Sequence, residues 1–199
     1  MGHRGLIGFV IDGQEKLAYS HWGSYPDGNG LVMLNFARKL MTEQGRFGRP
    51  SIDNTIVQQI RDLTVVDGSS RPTGPQQVRL SKYADSAVSS GELDEWYVLL
   101  RNTQGDPDAI LQAGFIVDSA AFAIDSLFNE GSYLIDLDNE VLEAYEGFVQ
   151  APHNQGRFAH LDPRTGQDGS VEYYPIRLAG SWPLSALPSD EEFLKHLGD

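Results

Sequence analysis

Two runs of strand-forming residues open the chain, Arg4-Gly-Leu-Ile-Gly-Phe-Val-Ile11 and Gln14-Glu-Lys-Leu-Ala-Tyr-Ser-His-Trp22, with Asp12-Gly13 between them. An Asp-Gly pair in that position predicts a β-hairpin, because the turn needs positive φ and glycine adopts it freely. The loop is either the two residues Asp12-Gly13 or the four from Asp12 to Glu15. Side chains alternate across a strand, so in both registers even positions of the first run share a face with odd positions of the second. One face then carries Arg4, Leu6, Gly8, Val10, Leu17, Tyr19 and His21, and the other Ile7, Phe9, Ile11, Ala18, Ser20 and Trp22. Both faces are largely apolar, which predicts that both are covered and that the hairpin sits centrally in its sheet.

After a turn-rich stretch from Gly23 to Gly30 the period changes. Leu31, Met33, Leu34, Phe36, Ala37, Leu40 and Met41 recur at helical spacing and predict a helix from Gly30 to Glu43. Pro50-Ser51 marks a second helix, with Ser51 as N-cap and Ile52, Ile56, Val57, Ile60 and Leu63 as its buried stripe. Further helices are expected from Pro75 to Asp85, from Glu92 to Asn102, and from Pro107 to Ala113 behind an Asp106 cap. Phe115 to Phe128 fits a buried helix or a mixture of strand and helix. Tyr133 to Tyr145, turning at Asp138-Asn139, reads as a second hairpin; residues 147–170 read as a long loop, and Val171 to Leu178 as a strand. Ser189-Asp-Glu-Glu192 is a capping box that opens a final short helix.

Strand hairpins near both ends and helices between them predict one α+β domain over residues 1–199, with antiparallel sheet covered by the central helical segment. There is no internal repeat, and the linker-like stretch 67–74 is too short to mark a domain boundary.

Composition narrows the function. A formal charge of −13, from 28 acidic against 15 basic residues, argues against a broad nucleic-acid surface. The densest basic run, Arg38, Lys39, Arg46 and Arg49, reads as a solvated helix end and loop. With no cysteine there is no disulfide and no thiolate chemistry. The opening Met-Gly-His-Arg lacks an apolar leader and no segment is long enough to span a bilayer, so the expected location is cytoplasmic, with no membrane partner.

Candidate chemistry centres on Arg4, Tyr19 and His21, which share a face. Arg4 and His21 lie at the same end of the hairpin, beside a loop containing Tyr25, Asp27 and Asn29 that feeds a helix start. A guanidinium, an imidazole and free helix amides form a set that holds a small carboxylate or phosphate. The competing reading is structural: Arg4 and His21 pair with Asp27 while Asp27 or Asn29 caps the helix. The loop glycines match neither dinucleotide nor P-loop patterns. Asp136, Asp138 and Glu140 read as solvated turn acids; His153 and His160 lack zinc-ligand spacing, and Ser89-Ser90-Gly91 and Ser119 lack the context of a serine nucleophile. No metal and no cofactor is expected, and no catalytic residue can be assigned.

The segment Arg-Gly-Leu-Ile-Gly-Phe-x-x-Asp-Gly-x-x-Lys-x-x-Tyr-x-His-x-x-Ser-Tyr-Pro-x-Gly-x-Gly at residues 4–30 resembles that of an uncharacterised group of bacterial and phage proteins, whose members typically begin with Thr-Arg-Gly. Further likeness lies at Trp96 to Gly105, Asp125 to Phe128 and Tyr133 to Tyr145; His3 replaces the usual Thr, and Gly23 and Asn129 also depart. The resemblance implies no activity. A strand, tight turn and strand at the N-terminus also resembles the N-terminal-nucleophile hydrolases, which implies two packed sheets between helices. Their chemistry needs Cys, Ser or Thr as first residue, whereas removal of Met1 here exposes Gly2. The function expected from the sequence is a binding or interaction protein for a small anionic molecule or a protein partner. The alternatives are a hydrolase or transferase with His21 as general acid/base, and a structural or assembly component.

Overall fold

The computed structural model describes residues 3–42, 51–85, 87–88, 93–166 and 169–198. The predicted helix end at Glu43, the Arg46 and Arg49 half of the basic run, Ser89-Ser90-Gly91 and the helix start at Glu92 lie outside them. In chain order the strands and α-helices are β1 (Gly5–Ile11), β2 (Gln14–Ser20), α1 (Leu31–Leu40), β3 (Met41–Thr42), β4 (Ser51–Ile52), α2 (Asn54–Asp62), β5 (Thr64–Val66), α3 (Gly74–Leu80), α4 (Trp96–Leu99), α5 (Pro107–Ala113), β6 (Phe115–Val117), β7 (Gly131–Asp136), β8 (Val141–Glu146), β9 (Arg164–Thr165), β10 (Val171–Tyr173), β11 (Arg177–Pro183) and α6 (Asp190–Leu197). The class is α+β.

The principal sheet has the order β11-β8-β7-β1-β2. Leu6 faces Tyr19 and Ile11 faces Gln14, so the first turn is the two-residue Asp12-Gly13, with φ of 54° and 72°. Both turn amides donate to the Asp138 carboxylate, each at 2.8 Å, which ties the two hairpin turns together. The sheet is mixed rather than antiparallel, because β1 and β7 run parallel. The N–H of Leu6 reaches the Ser132 hydroxyl, which itself donates to Asn129, at the start of that parallel pairing.

Both faces of the sheet are covered, as their composition requires. Ile7, Phe9, Ile11 and Ile135 pack with Met33, Leu34, Leu40, Ile60 and Phe193 of α1, α2 and α6. Leu6, Val10, Leu17 and Leu134 pack with Ala123, Tyr145, Phe158 and Ile176. Each of the Leu, Ile, Val, Phe and Met side chains among them contributes about 1.5 to 3 kcal/mol by leaving water. A third cluster, including Leu80, Trp96, Leu99 and Ala113, joins α3, α4 and α5.

Several expectations are corrected. The hairpin is central only through β1; β2 is an edge strand, protected where Ser119 donates its N–H to the Leu17 carbonyl at 3.0 Å. The described strands form one five-stranded sheet and three two-stranded pairs, so the two large packed sheets of the N-terminal-nucleophile architecture are not formed among them. Asp53, not Ser51, caps α2, accepting the Thr55 N–H at 2.7 Å, because β4 holds Ser51 and Ile52 extended against β3. The helix expected through Asn102 is one α-helical turn followed by a 3-10 turn, Arg101–Thr103. Phe115–Val117 pairs in parallel with β5, and a 3-10 helix follows over Ala120–Ile124. The strand expected from Val171 is interrupted by Pro175, which has no N–H for a ladder, and pairing with β8 begins at Arg177. The capping box expected at Ser189 is formed.

No described helix is long and apolar enough to cross a membrane.

Candidate functional site

Continuing the register of β1 and β2 brings Arg4, Tyr19 and His21 to one corner, as parity requires. The Tyr19 hydroxyl lies 2.8 Å from His21 Nδ1. Burial, followed by the charges of Arg101 and Arg4, pushes the His21 pKa below 6.5. Burial likewise raises that of the Tyr19 phenol, against the opposing pull of Arg4. With the phenol donating to Nδ1, the neutral imidazole carries its proton on Nε2.

Sequence reasoning missed Arg101, because the contact is made by a distant segment. The N–H of His21 donates to Gln104 Oε1 at 3.1 Å, and Arg101 Nη1 donates to that same oxygen at 2.5 Å and to the Tyr97 hydroxyl at 2.8 Å. Gly105, with a φ of 77°, lets this segment approach: a Cβ there would come within 2.8 Å of Asn29 Oδ1. Tyr19 sits edge-on to Phe122 at 5.1 Å, and the Arg4 guanidinium lies 5.3 Å from the centre of the Phe128 ring. Arg4 Nε is buried without a hydrogen-bond partner. Among the described residues, Arg4, Arg79 and Arg101 find no carboxylate partner, whereas Arg38, Arg61, Arg71, Arg157, Arg164 and Arg177 all do.

Two hollows flank the corner. A cavity of about 50 Å³ lies behind Tyr19, walled by Trp96, Tyr97, Leu100, Ile110 and Phe115. A polar cleft of about 290 Å³ is lined by Ser20, Trp22, Asp85, Arg101, Asn102 and Gln104.

The loop residues do not join this corner. Asn29 is buried, and its amide nitrogen lies 3.0 Å from the Ser20 hydroxyl and 3.1 Å from that of Ser24, which makes it a brace between hairpin and loop. Tyr25 is exposed, its ring centroid 3.5 Å from that of His3 with the planes tilted by 32°, and Asp27 is exposed and makes no ion pair with Arg4 or His21. The free helix amides expected for an anion are consumed locally. Pro26–Gly30 forms a π-helical turn in which Gly28 and Gly30 donate to Tyr25 and Asn29 donates to Gly23. That tight turn removes both the anion cradle and the proposed Asp27 closure.

The turn acids are occupied as well. Asp136 has no solvent exposure and accepts from the N–H groups of Asp138 and Asn139, the Asn139 amide and Arg157, and Asp138 holds the first hairpin turn. His153 Nε2 lies 2.9 Å from the Pro175 carbonyl, in a structural setting.

The electrostatics of the corner carry a test. In an NMR titration His21 is expected to titrate below 6.5, and Arg101→Gln to move it upward. Because the folded value is depressed, the unfolded chain binds more protons as pH falls through about 6.5, so stability declines there and stays reduced below the folded pKa. Titration of His21 at or above the ordinary value contradicts this electrostatic picture.

No family model, curated protein or solved structure matches this chain.

Proposed function

We propose that the chain is a cytoplasmic binding protein for a small carboxylate- or phosphate-bearing molecule, held at the corner formed by Arg4, Tyr19, His21 and Arg101. One observation carries the reading. In a chain of net charge −13, two guanidiniums without carboxylate partners bear on the same neutral imidazole and phenol. An acidic protein ordinarily neutralises its arginines internally, and six of the described arginines here follow that pattern. An anion bound between Arg4 and Arg101 accepts charge-assisted hydrogen bonds from both, with the Nε2–H of His21 as a further donor and Tyr19, Phe122 and Phe128 as apolar walls. The hydrolase reading gains less support, because the Tyr19 and Tyr97 hydroxyls are already engaged with His21 and Arg101.

The test is calorimetric and thermal titration of the full chain with inorganic phosphate and with succinate. Binding by the native chain raises the melting temperature with ligand concentration, and Arg4→Gln and Arg101→Gln are each expected to weaken it by about tenfold, the worth of one charge-assisted hydrogen bond. Absence of any shift with either anion, or unaltered affinity in both variants, rejects the assignment.

A further inference from the structure

We propose a second site, independent of the arginine corner, that binds an organic ammonium group in the cleft between the loop before α1 and the start of β7. The cleft has a volume of about 200 Å³, and its lining includes His3, Tyr25, Glu130, Tyr133, Glu146 and Phe148. That is below the roughly 300 Å³ at which drug-sized pockets begin, and fits a head group rather than a whole cofactor.

Phe148 is the point of departure. It is 56% exposed and has a φ of 55°, a left-handed conformation that glycine adopts freely and a phenylalanine resists. The conformation is imposed by its neighbours. Phe148 N–H donates to the Ser126 carbonyl at 2.6 Å, Val149 N–H to the Ser126 hydroxyl at 3.1 Å, and Gly147 N–H to the Glu130 carbonyl at 3.3 Å. Ser126 itself is fully buried. The fold therefore holds a large apolar ring outward through a strained backbone, where glycine would satisfy the same hydrogen bonds at lower cost. Strain of this kind concentrates where a side chain is needed for recognition.

The surroundings select the ligand's charge. Tyr25 is 43% exposed and lines the same cleft, its ring tilted against that of His3 with centroids 3.5 Å apart. Glu130, whose side chain is 18% exposed, lies 2.9 Å from the His3 imidazole, and Glu146 pairs with Arg177. Aromatic faces present negative charge to a cation, and a carboxylate adds to it; both disfavour an anion. The net charge of −13 acts in the same direction. A methylated ammonium, weakly hydrated and broad, is the group this lining recognises. It can arrive as a free small molecule or at the end of a lysine side chain.

The experiment titrates the full chain by calorimetry with choline, with its neutral isostere 3,3-dimethylbutan-1-ol, and with Nα-acetyl-trimethyllysine amide. At least one cation is expected to bind about tenfold or more tightly than the isostere, the tighter of the two naming the source of the group. Phe148→Gly and Glu130→Gln are each expected to reduce that affinity about tenfold, while Phe148→Gly leaves the melting temperature unchanged or higher because strain is relieved. Equal binding of the isostere, no binding of either cation at millimolar concentration, or a lower melting temperature in Phe148→Gly overturns the proposal. The last result would make the ring a structural plug.

Discussion

Arg157→Met is expected to destabilise the protein by about 3 to 5 kcal/mol, the usual consequence of stripping the cation from a buried ion network. Arg157 lies in the Gly- and Pro-rich stretch after β8, yet its guanidinium reaches Asp136, donates through Nε to Glu143 Oε2 at 2.9 Å, and stands 3.6 Å from Glu15. The Tyr145 hydroxyl donates to the same Glu143 oxygen at 2.9 Å, and burial drives its pKa far upward. Asp136 has no solvent exposure and the Glu143 side chain is only 12% exposed, so neither is rehydrated once the guanidinium is gone. For a chain of this length the loss corresponds to a fall of roughly 10 °C in melting temperature, read directly by calorimetry or urea denaturation. Adding Asp136→Asn is expected to recover part of it, because one buried charge is then removed along with its partner. Burial raises the Asp136 pKa, but the hydrogen bonds from Asn139 and Arg157 outweigh it and hold the group below 3.8. Its stabilising contribution is therefore complete above the unfolded value, about 3.9, and is lost as pH falls through the folded one. A loss below about 1 kcal/mol would place Arg157 in the class of surface ion pairs.

Lys16→Met is expected to cost about 2 to 4 kcal/mol, because each buried carbonyl left without a donor loses its solvation uncompensated. Lys16 is 3% exposed, and its ammonium donates to the carbonyls of Ile60, Arg61 and Leu63 at 3.1, 2.7 and 2.9 Å. A helix leaves its last carbonyls unpaired and partly negative, and a cation from β2 satisfies those at the end of α2. Burial lowers the Lys16 pKa, while the nearby Asp12 and Asp62 carboxylates pull it up. Methionine keeps the apolar stem, so the variant isolates the lost hydrogen bonds from lost packing. Hydrogen exchange is expected to accelerate at Ile60 and Leu63 ahead of the β1 amides; a uniform change across both elements would mean that Lys16 does not act through α2.

The Lys16 contact shares a feature with the arginine corner. In each, a polar side chain or amide of β2 or its continuation meets groups more than 40 residues away: Lys16 with α2, and His21 with Gln104 and hence Arg101. The acidic surface conceals this, because the functional and structural weight of the few cations depends on which of them find carboxylates. Arg61 and Arg157 do, and Arg4 and Arg101 do not.

Local chemistry dictated much of the framework. A hairpin turning at Asp12-Gly13, though not the choice between a two- and a four-residue loop, the shared face of Arg4, Tyr19 and His21, the Asp106 cap of α5 and the Ser189 capping box of α6 all follow from rules spanning a few residues, and all are present. The α+β class follows from the change of hydrophobic period along the chain. What those rules cannot contain is the partner of a strand or a side chain. The parallel pairing of β1 with β7 spans more than 100 residues, and nothing within either strand encodes its neighbour. Asn29 became a brace and Tyr25 moved to another cleft because the Pro26–Gly30 turn consumed its own amides, a closure set by packing against Ser20, Ser24 and Gly105. Periodicity and capping act through covalent spacing and are legible in one dimension; charge pairing, edge protection and site assembly depend on distances between remote segments, which exist only once the core has formed.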